Sequence, residues 1–261
     1  MVYMGSKSRI AKDIVPIIQK CIDDNHIETY IEPFVGGCNV IDKVRCSERI
    51  GNDKNKYLIA LLAHLQNYGV LLDEVPRDLY SQVRSDYNDG TSDTKYEDWY
   101  VGNVGFLASY NGRWFDGGYA KPGYEMTKSG LRYRDYYQEA KNNILSQVDR
   151  LKDVTLSCED YQDLPYFEND MIYCDPPYQN TKQYANSADF NYEEFWNWVR
   201  NISKTCYVLV SEINAPDDFM CVWEKSVSRS IKSADKSKAI EKLFIYKDGK
   251  YAEYICRKDT K

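Results

Sequence analysis

Short β-rich runs alternate with amphipathic helical stretches in this chain, and that order constrains the fold more than any other feature. Ser8 to Ile22 places Ile10, Ile14, Ile17, Ile18 and Ile22 near helical spacing. Thr29-Tyr30-Ile31 reads as a short strand, Arg49-Ile50-Gly51-Asn52-Asp53 as a second, and Tyr57 to Gln66 as another helix. After the first strand come glycines, and Val40 to Val44 can open a helix. Met171-Ile172-Tyr173-Cys174 and Tyr207-Val208-Leu209-Val210 are uncharged and read as buried strands, with a helix from Phe195 to Ser203 between them. A β-α-β order requires a parallel sheet with crossover helices, so the chain is expected to be α/β. Leu243 to Tyr246 and Tyr251 to Cys256 flank Lys247-Asp248-Gly249-Lys250 and predict a closing hairpin.

Between about Asn67 and Val148 the character changes. Tyr, Asp, Gly and Trp dominate, and long apolar strands disappear. The expected organisation is a module of helices and loops at 61–149, inserted into a domain made of 1–60 and 150–261. A length of 261 residues with 43% hydrophobic side chains is enough for such a core.

Several function classes are disfavoured. No apolar stretch approaches the roughly 18 residues that span a bilayer, so no membrane partner is expected. The segment Met1 to Lys12 is basic without an apolar run behind it, which does not read as a signal peptide. The eight cysteines include no C-x-x-C pair and suit reduced thiols in a cytoplasmic protein. His26 and His64 are the whole supply of histidine, so neither a histidine triad nor a histidine-rich metal centre is expected.

The net charge of −6 argues weakly against nucleic acid, but local patches run the other way. Lys225 to Lys242 holds six Lys or Arg against Asp235 and Glu241, and Ser109 to Arg134 holds five against Asp116 and Glu125. The 24 tyrosines suit stacking on bases and bonding to phosphates. Two ordinary solvated faces would look the same by composition.

The strongest chemical signal is Asp175-Pro176-Pro177-Tyr178, directly after the apolar strand. Ligands of open α/β sheets bind off the carboxyl ends of strands. An aromatic amine such as adenine N6 is a poor nucleophile because its lone pair is delocalised. Two acceptors aimed at its two N–H bonds would localise that pair. Asp175 can be one, and the Pro176 carbonyl the other, since Pro177 restricts residue 176 to an extended backbone. Tyr178 offers a flat face for the base. A plain turn after a strand is the alternative.

Glu32-Pro33-Phe34-Val35-Gly36-Gly37 is a second signal, because glycines after a first strand permit close approach to the backbone. It is not the G-x-G-x-x-G fingerprint of nicotinamide enzymes. Asp53 ends the second strand and can accept from both hydroxyls of a ribose, or cap a helix instead. Tyr3-Met4-Gly5-Ser6-Lys7 is a third segment, which by itself reads as a loose start with a solvated lysine.

Together these segments resemble the Dam-type, D12-class DNA adenine-N6 methyltransferases, in that family's motif order and over nearly the whole chain. The resemblance implies a Rossmann-like methyltransferase sheet with an inserted, mainly helical target-recognition domain, S-adenosyl-L-methionine as cofactor and double-stranded DNA as partner. Tyr3, Lys7, Glu32, Pro33, Phe34, Gly36, Gly37, Asp53 and Asp175 match cofactor segments, and Cys158-Glu159-Asp160-Tyr161 is similar to the segment that brackets the cofactor adenine. Asp175, Pro176, Pro177 and Tyr178 match the catalytic motif. Ser211 to Pro216 and Lys238 to Tyr246 match C-terminal segments. Asn111, Arg113 and Tyr119 resemble the DNA-facing loop, and Lys121, Lys128, Arg132, Lys232, Lys236 and Lys238 are candidate phosphate contacts. The loop is shorter than in GATC-reading members and lacks their N-V-P piece, so GATC specificity is not implied.

The implied reaction is methyl transfer to N6 of a flipped-out adenine, with no metal and no covalent enzyme intermediate. A restriction endonuclease acting on the same site is a possible companion. Cytosine N4, RNA adenine and a glutamine amide are rival amines, and related loops for cytosine often begin with Ser and for glutamine with Asn. A DNA-binding decoy that keeps the fold is a rival of another class.

Overall fold

The computed structural model describes residues 1–127, 130–178, 190–227 and 239–259. Lys128, Lys232, Lys236 and Lys238 lie outside the described residues. The chain forms two compact units, one of 1–15, 35–44 and 51–159 and one of 16–34, 45–50 and 160–261.

The elements begin with α1 (Ala11–Asn25), β1 (Thr29–Glu32), β2 (Glu48–Asn52) and α2 (Lys56–Tyr68). Next come α3 (Arg77–Asn88), α4 (Ser92–Lys95), α5 (Asp98–Gly102), the hairpin strands β3 (Gly123–Thr127) and β4 (Gly130–Arg134), α6 (Tyr136–Leu145) and α7 (Val148–Leu151). The last third holds β5 (Val154–Ser157), β6 (Met171–Cys174), α8 (Tyr192–Ile202), β7 (Tyr207–Glu212), β8 (Phe219–Val227), β9 (Ala239–Tyr246) and α9 (Lys250–Asp259).

The α/β expectation holds. Seven strands form one sheet in the order β5-β2-β1-β6-β7-β9-β8. β6 runs parallel to both neighbours, with Ile31 opposite Ile172 and Ile172 opposite Val208. β9 is antiparallel to β7 and β8. All four residues of β6 are buried, as a strand covered on both faces demands. The chain order reverses between β1 and β6, the switch point at which such sheets open a crevice beyond their carboxyl ends.

In the second unit, α8 starts on Asn191, whose side chain accepts the Glu194 N–H at 3.1 Å. Glu193 and Glu194 in its first turn and Arg200 in its last complement the helix dipole. The helix buries Phe195, Trp196 and Val199 against Ile172, Cys174, Val208 and Val210.

In the first unit, Asn55 caps α2 by accepting from the Tyr57 and Leu58 N–H groups, and Gly69 ends it in a left-handed conformation. Leu58, Leu61, Leu62 and Leu65 form its buried stripe. This unit contains the whole of 61–149, with α3 to α6 and the β3–β4 hairpin. His64 lies flat on Trp99, with ring centroids 3.7 Å apart.

Three local expectations are corrected. Tyr251 to Cys256 is part of α9, not a strand: Tyr251 and Ala252 are buried, and Tyr251 meets Tyr254 at helical spacing. Gly249 permits the close approach that starts this helix, since a Cβ there would sit 2.9 Å from the Ser203 Cβ. The hairpin partner of β9 is therefore β8, upstream, which the sequence reading did not single out. Val40 to Val44 forms turns, closed by Lys43 N–H on the Val40 carbonyl at 2.9 Å, because five residues in so tight a connection do not propagate a helix.

Candidate active site

In the first unit the glycine turn and the acidic turn meet. Val35 N–H donates to the Asn52 carbonyl at 2.7 Å and ties the loop to the end of β2. Gly36 N–H donates to Asp53 Oδ2 at 3.2 Å, and Asn55 N–H to Oδ1 at 3.0 Å. Burial raises the Asp53 pKa to about 6, against the lowering effect of those two N–H groups. Asn52 is itself fixed by Glu159 N–H at 2.9 Å and the Ser157 hydroxyl at 2.9 Å.

Gly36 has φ +48°, and a Cβ on it would lie 2.9 Å from Tyr3 Cε1. A Cβ on Gly37 would lie 2.9 Å from Tyr3 Cβ. The space at Gly36 is thus filled by Tyr3 and that at Gly37 by Asn39 and Tyr3, whose ring also meets Phe106 at 5.8 Å. Lys7 is 6% exposed rather than solvated, and its Nζ donates to the Gly5 carbonyl at 3.3 Å.

In the second unit, Glu32 ends β1 and Asp175 follows β6, its parallel neighbour. Glu32 is buried and accepts the Tyr30 hydroxyl at 2.7 Å. Pro33 and Pro176 are buried, while Asp175, Pro177 and Tyr178 are half-buried. The Pro177 carbonyl accepts the Tyr192 hydroxyl at 2.8 Å. The Tyr178 hydroxyl donates to Glu241 Oε2 at 2.7 Å and lies 3.0 Å from Ser211 Oγ. Burial, with Asp175 and Glu241 nearby, raises the Tyr178 pKa far above the usual phenol range.

Phe34 packs against Tyr161 at 5.3 Å between ring centroids, and both meet Phe195. The Tyr161 carbonyl accepts the Tyr166 hydroxyl at 2.5 Å, and Asp160 Oδ1 accepts Gln162 N–H at 3.2 Å.

The candidate DNA contacts belong to the first unit. Asn111 is exposed at φ +56°, in a tight loop closed by Tyr110 N–H on the Gly118 carbonyl at 2.9 Å. Arg113 is half-buried, and its Nε finds no hydrogen-bond partner among the described residues. The Tyr119 hydroxyl donates to the Val75 carbonyl at 3.0 Å, which fixes that ring to its own unit. Lys121 is exposed, and Arg132 is exposed on β4 opposite Glu125. One face of the hairpin carries the cross-strand pairs Tyr124–Tyr133 and Met126–Leu131, all four exposed.

The family model of the D12 class N6 adenine-specific DNA methyltransferases matches residues 3–215. The chain belongs to that family. Among curated relatives, it is 26% identical to the type II methyltransferase M.MjaIII of Methanocaldococcus jannaschii over 74% of this chain and 73% of that one. It is 25% identical to the type II methyltransferase M.FokI of Planomicrobium okeanokoites over 77% of this chain and 32% of that one. The modification methylase StsI of Streptococcus sanguinis is 26% identical over 75% of this chain and 30% of that one. The chain thus spans about a third of the length of the last two relatives.

For this D12-class chain the candidate loops are visible in the sequence, but the side chains that hold them are not. Ser211 and Glu241 fell within segments matched to the family, without a role. Phe195 carries in the sequence only the cue of a helix start. Their partners are far away in the chain, so no local periodicity pointed to them. No helix among the described residues is long and apolar enough to cross a membrane.

Proposed function

We propose that this protein is a site-specific DNA methyltransferase that moves the methyl group of S-adenosyl-L-methionine to adenine N6 in double-stranded DNA. The observation that carries the reading is the position of Asp175: it leaves a fully buried parallel strand at the switch point, beside the strand that ends in Glu32.

The residues present fit the cofactor. Each Asp53 oxygen accepts one backbone N–H and keeps a lone pair for a ribose hydroxyl. The burial that raises its pKa makes such donors favourable. Phe34 and Tyr161 offer aromatic surface for the cofactor's adenine, with Asp160 beside them. Tyr3, Lys7, Glu32, Pro33, Gly36 and Gly37 complete the proposed set. When bound, the cofactor supplies an electrophilic methyl on a sulfonium.

Asp175 and the Pro176 carbonyl would accept the two N6 hydrogens and direct the nitrogen lone pair outward. The Pro177 carbonyl is occupied by Tyr192, which leaves the preceding carbonyl for the substrate. Tyr178 would stack on the base. A base inside a duplex cannot reach these groups, so it must be flipped out, costing a few kcal/mol of unstacking. Alignment of nitrogen and methyl carbon supplies much of the acceleration.

The segment 61–149 would read the DNA, through Asn111, Arg113, Lys121, Arg132 and the exposed apolar face of the hairpin. A restriction endonuclease for the same site suits the type II designation of two relatives. The cytoplasm is the compartment such an enzyme would share with DNA.

The test is transfer of tritiated methyl from S-adenosylmethionine to unmethylated phage DNA, with the product nucleoside identified by mass. N6-methyladenine with the wild type, and its loss in a folded Asp175→Ala variant, are expected. Methylcytosine as product, or full activity of that variant, refutes the reading.

A further inference from the structure

The hydroxyl of Tyr178 has no part in stacking, since a phenyl ring would offer the same face to a base. Yet it is bonded twice. It donates to Glu241 Oε2 at 2.7 Å, which leaves the Ser211 hydroxyl, 3.0 Å away, to donate to the phenol oxygen. Both partners stand on the sheet. Ser211 is 1% exposed on β7, the strand next to β6, and Glu241 is half-buried on β9, the strand next to β7. The registers Cys174–Val210 and Ser211–Leu243 lock the three strands together.

Tyr178 itself sits on a loop, four residues past the end of its strand. A tyrosine ring on a loop has free torsions at both χ angles. Two bonds from rigid strands to its far end remove that freedom. The bond to a carboxylate is charge-assisted and so among the stronger kinds. The phenol stays protonated and remains a donor, because burial and the neighbouring carboxylates disfavour the phenolate.

We propose that Glu241, together with Ser211, is a positioning residue for methyl transfer: it holds the ring of Tyr178 by its hydroxyl, so that the flipped adenine stacks in one orientation. This rests on the reading of Asp175 to Tyr178 as the target-base site. Glu241 touches neither base nor cofactor in this role and acts only through Tyr178. Orientation of the base governs the reacting geometry, so the loss falls on kcat rather than on the KM for the cofactor.

The experiment is a double-mutant cycle on the full chain, with unmethylated bacteriophage λ DNA and tritiated S-adenosylmethionine. Tyr178→Phe and Glu241→Ala should each lower kcat by about tenfold, the scale on which one lost hydrogen bond acts. The double variant should be no slower than Tyr178→Phe alone, because that change already removes the bond to Glu241. Glu241→Gln, which keeps an acceptor, should recover most of the rate. Glu241→Met, of similar volume, replaces the alanine variant if that one does not fold. Losses that multiply in the double variant, or a Glu241→Ala rate equal to wild type, overturn the proposal while an inactive Asp175→Ala control leaves the target-base reading standing. Full activity of that control overturns the reading and this proposal with it.

Discussion

Gly36 donates its backbone N–H to Asp53 Oδ2 at 3.2 Å, which joins the glycine turn after the first strand to the acidic turn after the second. The carboxylate is therefore both a brace for the loop and a candidate acceptor for a ribose. Its pKa is raised to about 6, chiefly by burial. Below that pH the folded protein takes up a proton there, and the protonated carboxyl gives up acceptor capacity. Affinity for S-adenosylmethionine should accordingly be flat above about pH 7 and fall by up to tenfold per unit below about pH 6. Asp53→Asn should bind more weakly at neutral pH and lose this dependence. Isothermal titration calorimetry from pH 5 to 8 checks it, and a wild-type affinity constant over that range would contradict the assignment.

Gly36 answers a second demand, because Tyr3 fills the space where its side chain would be. Gly36→Ala adds a methyl 2.9 Å from the Tyr3 ring at a φ of +48°. Overpacking and left-handed strain each cost about 1–2 kcal/mol. A loss of roughly 3 kcal/mol in urea unfolding is expected. In a Tyr3→Ala background the steric part should vanish and about half of the cost remain. An equal cost in both backgrounds would mean that the ring yields freely.

The exposed face of the β3–β4 hairpin should serve DNA rather than folding. Tyr124 is 72% exposed and Tyr133 54%. Replacing both with Ser should leave the melting temperature within a degree or two, as surface changes usually stay within about 0.5 kcal/mol. DNA affinity should drop by about tenfold or more, since base–aromatic stacking is worth roughly 1–3 kcal/mol. Arg132→Ala should lower the slope of log K against log salt by about one. Unchanged binding in fluorescence anisotropy would remove the hairpin from the interface.

Phe195 links the core to the candidate cofactor surface, with Phe34 and Tyr161 both packed on its ring. Phe195→Leu should cost about 1–2 kcal/mol of stability, since the smaller side chain leaves a void in the core. It should also weaken S-adenosylmethionine binding several-fold, because the rings it supports lose a wall. Chemical denaturation and calorimetry on the same variant separate the two effects. A full loss of stability with unchanged affinity would show that the aromatic cluster serves the core alone.

Elements whose cues are local were legible in the sequence. The buried strands Met171–Cys174 and Tyr207–Val210 carry no charge, α2 has its apolar stripe, and the prolines after Asp175 stop β6. The end of the chain misled because Tyr251 to Cys256, seen in isolation, fits a strand after a glycine turn. Packing of Tyr251 beside Tyr207 on the sheet made it a helix instead. β8 escaped notice because its cues are mixed, with exposed Met220 and Cys221 beside buried Phe219.

The sequence by itself determined the α/β class, the strands β1, β2, β6, β7 and β9 and the candidate loops that follow them, since periodicity and turn chemistry act over a few residues. Tertiary structure alone decided that Tyr3 fills the space at Gly36, that Phe34 meets Tyr161 and that Glu241 takes the Tyr178 hydroxyl. Those pairs join positions far apart in the chain, and a side chain's distant partner is set by how the sheet and its helices pack, which no local pattern encodes.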